Sequence, residues 1–365
     1  MVLFGEDVTV VKMKNLLSVL MSAVFMFALT QTASAQSSAA DSQEVANNLV
    51  TQQSAGAASA QVAGLVGSAV SAAIAPPPPP GGIAPVTSYK GDGTQFFNSR
   101  QLGVAAGSAP KGLGVWVQGG YTSMDGDDTG GEFDGNVLNF LAGIDYKVGK
   151  KAVVGVAIGF EDLDIDTSFN NGTFEGTGYG ITPYLGVAIN DRWSVQLLAG
   201  WTTVEYDTTS NFGAITSSFD ADRLYGAATV SGSFKVTNKI HLSPKASVLY
   251  LTEDQDGFTD SAGTVSAGST IDLGRVSAGG TISYLAGKVT PFVRILGEYD
   301  FVKEDSVALG NGNFSSDDKA GLNATLGLNM NFANGWSGNV EGTAATLLRE
   351  NLDVYTVSGR LRYQW

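Results

Sequence analysis

The sequence has no cysteine and one histidine, His241. The missing cysteines exclude disulfides and every thiolate metal centre, and a lone histidine leaves little for a zinc site. Charge is sparse at 15% of residues, and the net value is −14. A general nucleic-acid binder needs clustered Lys and Arg to neutralise phosphates, so that class is excluded. Beyond the first 35 residues no apolar run approaches the roughly 20 residues of a membrane helix. The GxG pairs Gly178/Gly180 and Gly310/Gly312 do not open helices, so they give no phosphate cradle and imply no cofactor. No nucleophile with an adjacent acid–base set stands out, and the chain reads as a non-enzyme. DGDDTGGEFD (Asp125 to Asp134) lacks the glutamate spacing of an EF-hand loop and reads as a solvated acidic link.

What is present begins with Lys12 and Lys14 ahead of LLSVLMSAVFMFALT (Leu16 to Thr30), then Ala33, Ser34 and Ala35. A basic start, a short apolar core and an A-x-A site predict a secretory signal peptide over residues 1–35. Residues 36–75 are built of Ala, Ser, Gln, Gly and Val, a short passenger-like segment that forms a weak helix or stays mobile. Five of the ten prolines lie in one run, Pro76 to Pro80. They make residues 76–111 a stiff linker with a hinge, and a possible lumen segment if a barrel follows.

From Gly112 to Trp365 the pattern becomes period two, as in half-solvated strands. In the stretch NATLGLNMNF, Ala324, Leu326, Leu328, Met330 and Phe332 share one face, and the asparagines share the other. WSVQLLAGW places Trp193, Val195, Leu197, Ala199 and Trp201 together, and VTPFVRILGEYDF sets Val289, Val293, Ile295 and Tyr299 against Arg294, Glu298 and Asp300. Tight turns begin at Val148, Ile189, Thr237, Ala286 and Ala333, 41 to 49 residues apart. Longer acidic links alternate with them: Asp125 to Asp134, Asp166 to Thr173, Asp207 to Ala214, Glu253 to Ser269 and Glu304 to Asp318. Short turns at one end and long polar loops at the other predict an all-β, antiparallel transmembrane β-barrel of about 12 strands.

Such a barrel must close, because an unpaired edge in hydrocarbon strands its backbone groups. The last run, VYTVSGRLRYQW, is therefore expected to pair with the first. Its outward residues Leu361, Tyr363 and Trp365 end the chain on aromatics. Trp193, Trp201, Tyr250, Tyr284, Tyr299 and Trp336 are the expected girdle at the lipid headgroups. Arg294, Glu298, Glu341, Arg360 and Arg362 fall on inward faces as a charge lattice, since buried charges need partners. His241 is expected near the short-turn rim.

GVWVQGGYTSMDGD (Gly114 to Asp127), LAGIDYKVGKKAVVGVAIGFE (Leu141 to Glu161), GYGITPYLGVAINDRWSVQLLAGW (Gly178 to Trp201) and the closing YTVSGRLRYQW together resemble the autotransporter β-domain family over Gly112 to Trp365. The resemblance implies a twelve-stranded outer-membrane barrel, a small-residue helix threading the lumen, and an N-terminal passenger exported through or with it. Gly64 to Ala75 and Asn98 to Ser108 are the candidates for the lumen segment, a plain tether being the alternative. Asn47 and Asn48 resemble the Asn pair at which some members cleave, but they lie far upstream of the barrel and a polar linker is the ordinary reading. The resemblance further implies that Leu361, Tyr363 and Trp365 are the signal read by the barrel-assembly machinery. The expected partners are that machinery, periplasmic chaperones, outer-membrane lipid and lipopolysaccharide, with the barrel a monomer. The implied role is anchoring and display or translocation of the short N-terminal segment. The alternative is a stand-alone pore with that segment as a plug or periplasmic tail.

Overall fold

The computed structural model describes residues 42–74, 112–127, 131–149, 151–303, 318–332 and 335–365. Helix α1 (Ser42–Ile74) is followed by β1 (Leu113–Gly126), β2 (Phe133–Val148), β3 (Ala152–Thr167), β4 (Gly172–Ala188), β5 (Trp193–Ser210) and β6 (Ile215–Gly232). Next come the two-residue β7 (Phe234–Lys235), β8 (Ile240–Gln255), and a small hairpin of β9 (Phe258–Thr259) and β10 (Val265–Ser266). The chain ends with β11 (Ser269–Tyr284), β12 (Val289–Lys303), β13 (Ala320–Asn331), β14 (Trp336–Leu347) and β15 (Leu352–Gln364). Twelve long strands pair as antiparallel neighbours, and two contacts complete the ring. β8 pairs with β11, and β1 pairs with β15 in the register Gly114↔Gln364 through Gly126↔Leu352. The last strand thus meets the first, and the result is a closed twelve-stranded antiparallel barrel.

The strands are longer than their lipid-facing patches require. β5 has 18 residues, about 58 Å of strand at about 3.4 Å per residue. Its outward apolar set, Trp193 to Trp201, covers only half of that. With strands tilted by about 40°, this half spans about 21 Å, close to the ~25 Å apolar band of outer-membrane barrels. Beyond Trp201 the sense of the alternation inverts. Thr203, Glu205 and Asp207 point out, while Val204 and Tyr206 are fully buried inside. β3 does the same, with Asp162, Asp164 and Asp166 outward and Leu163 and Ile165 inward. Water therefore bathes the outside of the barrel at this end, and apolar side chains fill its interior. Met124, Phe133, Phe174, Tyr206, Phe219 and Leu352 form this core, with the Phe174 and Tyr206 rings 4.9 Å apart.

The inversion corrects the reading of the acidic links. Asp166 to Thr173 and Asp207 to Ala214 are half strand, closed by connections of four residues between β3 and β4 and between β5 and β6. The alternation of Asp and Thr with apolar residues is itself period two, its polar side now facing solvent. Asp125 to Asp134 is likewise strand at both ends, and Glu253 to Ser269 carries the β9–β10 hairpin. Residues 304–317 of the fifth link lie outside the described residues. At the opposite end the turns are short. Asn190 Oδ1 accepts from the backbone N–H groups of Arg192 and Trp193 at 2.8 and 3.0 Å, and Thr237 Oγ1 caps Lys239 and Ile240 in the same manner.

Glycines inside the strands make room for large inward rings. Trp116 lies over Gly143, Tyr184 over Gly155 and Tyr225 over Gly200, so that a Cβ at any of these would meet ring atoms. A soluble sandwich would lose packing at such positions, whereas here the neighbouring strand supplies the side chain.

Candidate functional site: the lumen and its resident helix

Within the barrel lies α1, 33 residues and about 50 Å long at about 1.5 Å per residue. Its small side chains show no single apolar stripe, because wall surrounds it on several sides. An Ala- and Gly-rich helix of this kind takes its stability from packing rather than from propensity. Of the two expectations for residues 36–75, a weak helix or a mobile segment, Ser42–Ile74 takes the helical one. Of the two lumen candidates, Gly64 to Ala75 falls largely within α1, and Asn98 to Ser108 lies outside the described residues. Asn47 and Asn48 belong to helical backbone rather than to a linker.

Side-chain contacts fix the direction of α1. Gln255, at the long-loop end of β8, donates to Thr51 Oγ1 at 2.9 Å, and Val50 and Ala58 join the apolar core there. Halfway down, Asn139 donates to Gln61 Oε1 at 2.7 Å. Gln196, near the short-turn end of β5, donates to Ser71 Oγ at 2.6 Å, and Arg360 Nη1 donates to Ser68 Oγ. Val66, Ala69, Val70 and Ala73 pack with Trp116, Val153, Ala157 and Tyr184. The helix enters at the long-loop end and leaves at the short-turn end. Clearance is minimal on this side: a Cβ at Gly120 would overlap Gln61, and one at Gly67 would come within 3.0 Å of Gln196 Oε1.

Buried ion pairs staple the wall around the helix. Arg223 donates to both oxygens of Glu161 at 3.0 Å and through Nε to Glu253 at 2.6 Å, and Tyr206 completes the cluster. Arg362 grips Asp145 through two bonds of 2.6 and 2.7 Å, and Tyr184 reaches the same carboxylate. Arg349, from the β14–β15 connection, folds inward to Asp300 at 2.7 Å and Glu298 at 3.1 Å, and Arg275 shares both acids. Arg294 pairs with Glu341 at 3.1 Å. All five lattice residues named from the sequence face the lumen. The structure joins Arg294 to Glu341 but gives Glu298, Arg360 and Arg362 partners outside that set. Sequence reasoning placed Asp300 on the same face as Arg294 and Glu298 but missed Asp145, Glu161, Arg223, Glu253, Arg275 and Arg349. Five of these six occupy the inward parity of their strands, a signal available from alternation alone; Arg349 sits on a connection and gives no such signal.

Outside, the aromatics fall at two levels. Trp193 and Tyr284 sit near the short-turn end with Trp336, whose ring is 5.0 Å from Tyr363, and Tyr363 packs edge-on with Trp365 at 4.6 Å. Trp201, Tyr250 and Tyr299 mark the other level, Tyr250 donating to Asp272. Leu361 is exposed between Tyr363 and Val357 on the outer face, and His241 is buried at the short-turn end of β8.

A family model of the autotransporter β-domain matches residues 115–343. The chain belongs to the autotransporter β-domain family. Among solved structures, the translocator domain of the autotransporter NalP from Neisseria meningitidis superposes with a TM-score of 0.60 at 18% identity, covering 70% of this chain and 89% of that one. The β-domain of the Bordetella autotransporter BrkA gives 0.58 at 14%, covering 70% and 100%, and the transport unit of AIDA-I from Escherichia coli gives 0.56 at 13%, covering 72% and 92%. At these identities the likeness concerns the fold. Comparison with curated proteins gives no match. Autotransporter β-domains are outer-membrane barrels, so the exposed Leu, Ile and Val faces of this one meet lipid. By the family's orientation, the short turns face the periplasm and the long-loop end faces the outside.

Proposed function

We propose that this protein is an exported outer-membrane translocator and anchor, non-catalytic, which carries its N-terminal segment across the membrane and holds it with α1 resident in the lumen. The observation that carries this reading is the direction of α1. Thr51 is tied at the long-loop end and Ser71 at the short-turn end, so the N-terminal end of α1 lies on the outer side. In this reading residues 1–35 are the signal peptide, removed on export. Leu361, Tyr363 and Trp365 are presented to the barrel-assembly machinery after delivery by periplasmic chaperones. The finished barrel is a monomer embedded in outer-membrane lipid and lipopolysaccharide, with no nucleic-acid partner and no cofactor.

An epitope tag inserted beside Ser38 tests the reading. Antibody labelling of intact cells is the expected outcome. Labelling only after the outer membrane is permeabilised would overturn display and favour the plugged stand-alone pore.

A further inference from the structure

The outer surface of the barrel carries opposite charge at its two ends. Beyond the outer aromatic level, the outward strand residues of β3 to β6 are carboxylates and hydroxyls alone, Asp164, Glu175, Glu205 and Asp220 among them. At the short-turn end the sign reverses. Lys151, Arg192, Lys239 and Lys288 stand immediately before β3, β5, β8 and β12, Lys235 ends β7, and all five are exposed. Among the described residues of these turns Asp191 is the one exposed acidic side chain. Counting the carboxylate of Trp365 as well leaves five cations against two anions. The cations share their depth with aromatic rings. Trp193 follows Arg192 directly and meets Phe234, the neighbour of Lys235, edge-on at 5.7 Å. Lys239 Nζ stands 5.9 Å from the centre of the Tyr284 ring. The turns fix two of the five positions, because Asn190 Oδ1 and Thr237 Oγ1 accept from the backbone N–H groups of Arg192 and Lys239. Rings of this kind lie at the lipid headgroups, and Lys or Arg beside them reaches the phosphates while its stem stays on apolar surface. A cationic rim at that depth attracts headgroups of net negative charge more than zwitterionic ones.

We propose that the short-turn rim, through Lys151, Arg192, Lys235, Lys239 and Lys288, selects phospholipids with anionic headgroups in the leaflet that it faces. The acidic face at the other end offers such lipids no counter-charge, so selection is confined to one leaflet. The full-length protein in phosphatidylcholine bilayers, with a trace of spin-labelled lipid, tests the proposal by electron paramagnetic resonance, which separates lipid held at the barrel from lipid in the bulk. Spin-labelled phosphatidylglycerol should be held roughly two- to fivefold more strongly than spin-labelled phosphatidylcholine. In about 1 M salt, where screening acts over about 3 Å, the two should approach parity. The triple variant Lys151→Glu, Lys239→Glu, Lys288→Glu should abolish the preference, and glutamine at the same three positions should lower it should the first variant fail to assemble. Equal retention of the two lipids, or a preference that survives either the salt or the lysine variants, would overturn the proposal. Competition by millimolar glycerol phosphate at constant ionic strength would also overturn it, by revealing a site for free phosphate in place of a lipid surface. Surface labelling at Ser38 is a separate readout, so display can fail while lipid selection stands.

Discussion

Arg362 and Asp145 are 217 positions apart in the chain, yet they share two hydrogen bonds of 2.6 and 2.7 Å across the strand that lies between them. The pair spans β15, β1 and β2, so it staples the seam where the barrel closes. Asp145 also accepts from Tyr184, whose hydroxyl in turn accepts from Trp116 Nε1. Closure is thus tied to a polar network beside the lower part of α1.

Removing one member of that pair leaves a charge buried without its partner, at a cost of about 3–5 kcal/mol. Arg362→Ala should lower the urea midpoint of the purified barrel accordingly. The double variant Arg362→Met with Asp145→Leu should recover most of the loss, because no unpaired charge remains. Shift of the unheated band on SDS gels as urea is raised reports both.

Arg223 holds two glutamates at once, and both are buried. Arg223→Met should destabilise more than Arg294→Met, whose partner Glu341 borders a cleft in the lumen and can hydrate. The expected difference is about 2 kcal/mol or more, given that exposed pairs contribute about 0–1 kcal/mol. Chemical unfolding of the two variants side by side gives the ordering, and equal midpoints would contradict it.

The outer surface should tolerate charge only above the aromatic level. Ile295 and Leu326 are outward neighbours of mid-strand residues and are 50% and 67% exposed to the surroundings. Arginine at either should cost about 2–4 kcal/mol at the bilayer midplane. Asp164→Arg, on the acidic extension of β3, should be close to neutral. Folding yield into vesicles measures the contrast, and a tolerated Leu326→Arg would place the lipid band elsewhere.

Gly120 leaves room for Gln61, and Asn139 binds it. Gly120→Leu should therefore expel α1 from its seat while leaving strand pairing intact. Protease should then cut within residues 50–74 of the folded barrel, where the parent chain is protected. Continued protection would mean that the wall, rather than the helix, yields.

Trp365 donates its backbone N–H to Leu113 O and stacks edge-on with Tyr363. Deleting Trp365 should lower the amount of barrel recovered from the outer membrane several-fold, with the residue accumulating in the periplasm. Undiminished assembly would remove the terminal aromatic from the proposed signal.

The barrel itself was legible because its environment writes period two into every strand. Lipid outside and polar lumen inside gave Trp193 to Trp201 and the β13 face their alternation, and closure required the last run to meet the first. The helix was harder to read. Ala, Ser and Gly in α1 carry no stripe, since a helix enclosed by wall on several sides has no single buried face. Its place became visible only where Gln61 met Asn139 and Ser71 met Gln196.

Sequence alone therefore determined the strand count, the parity of the lipid-facing runs and the terminal aromatic, because these are local consequences of one face meeting hydrocarbon. Only the tertiary structure decided which charges pair, where the outside turns from lipid to water, and which way α1 runs. Those depend on residues far apart in the chain being brought to one depth by strand tilt and closure, which no local pattern records.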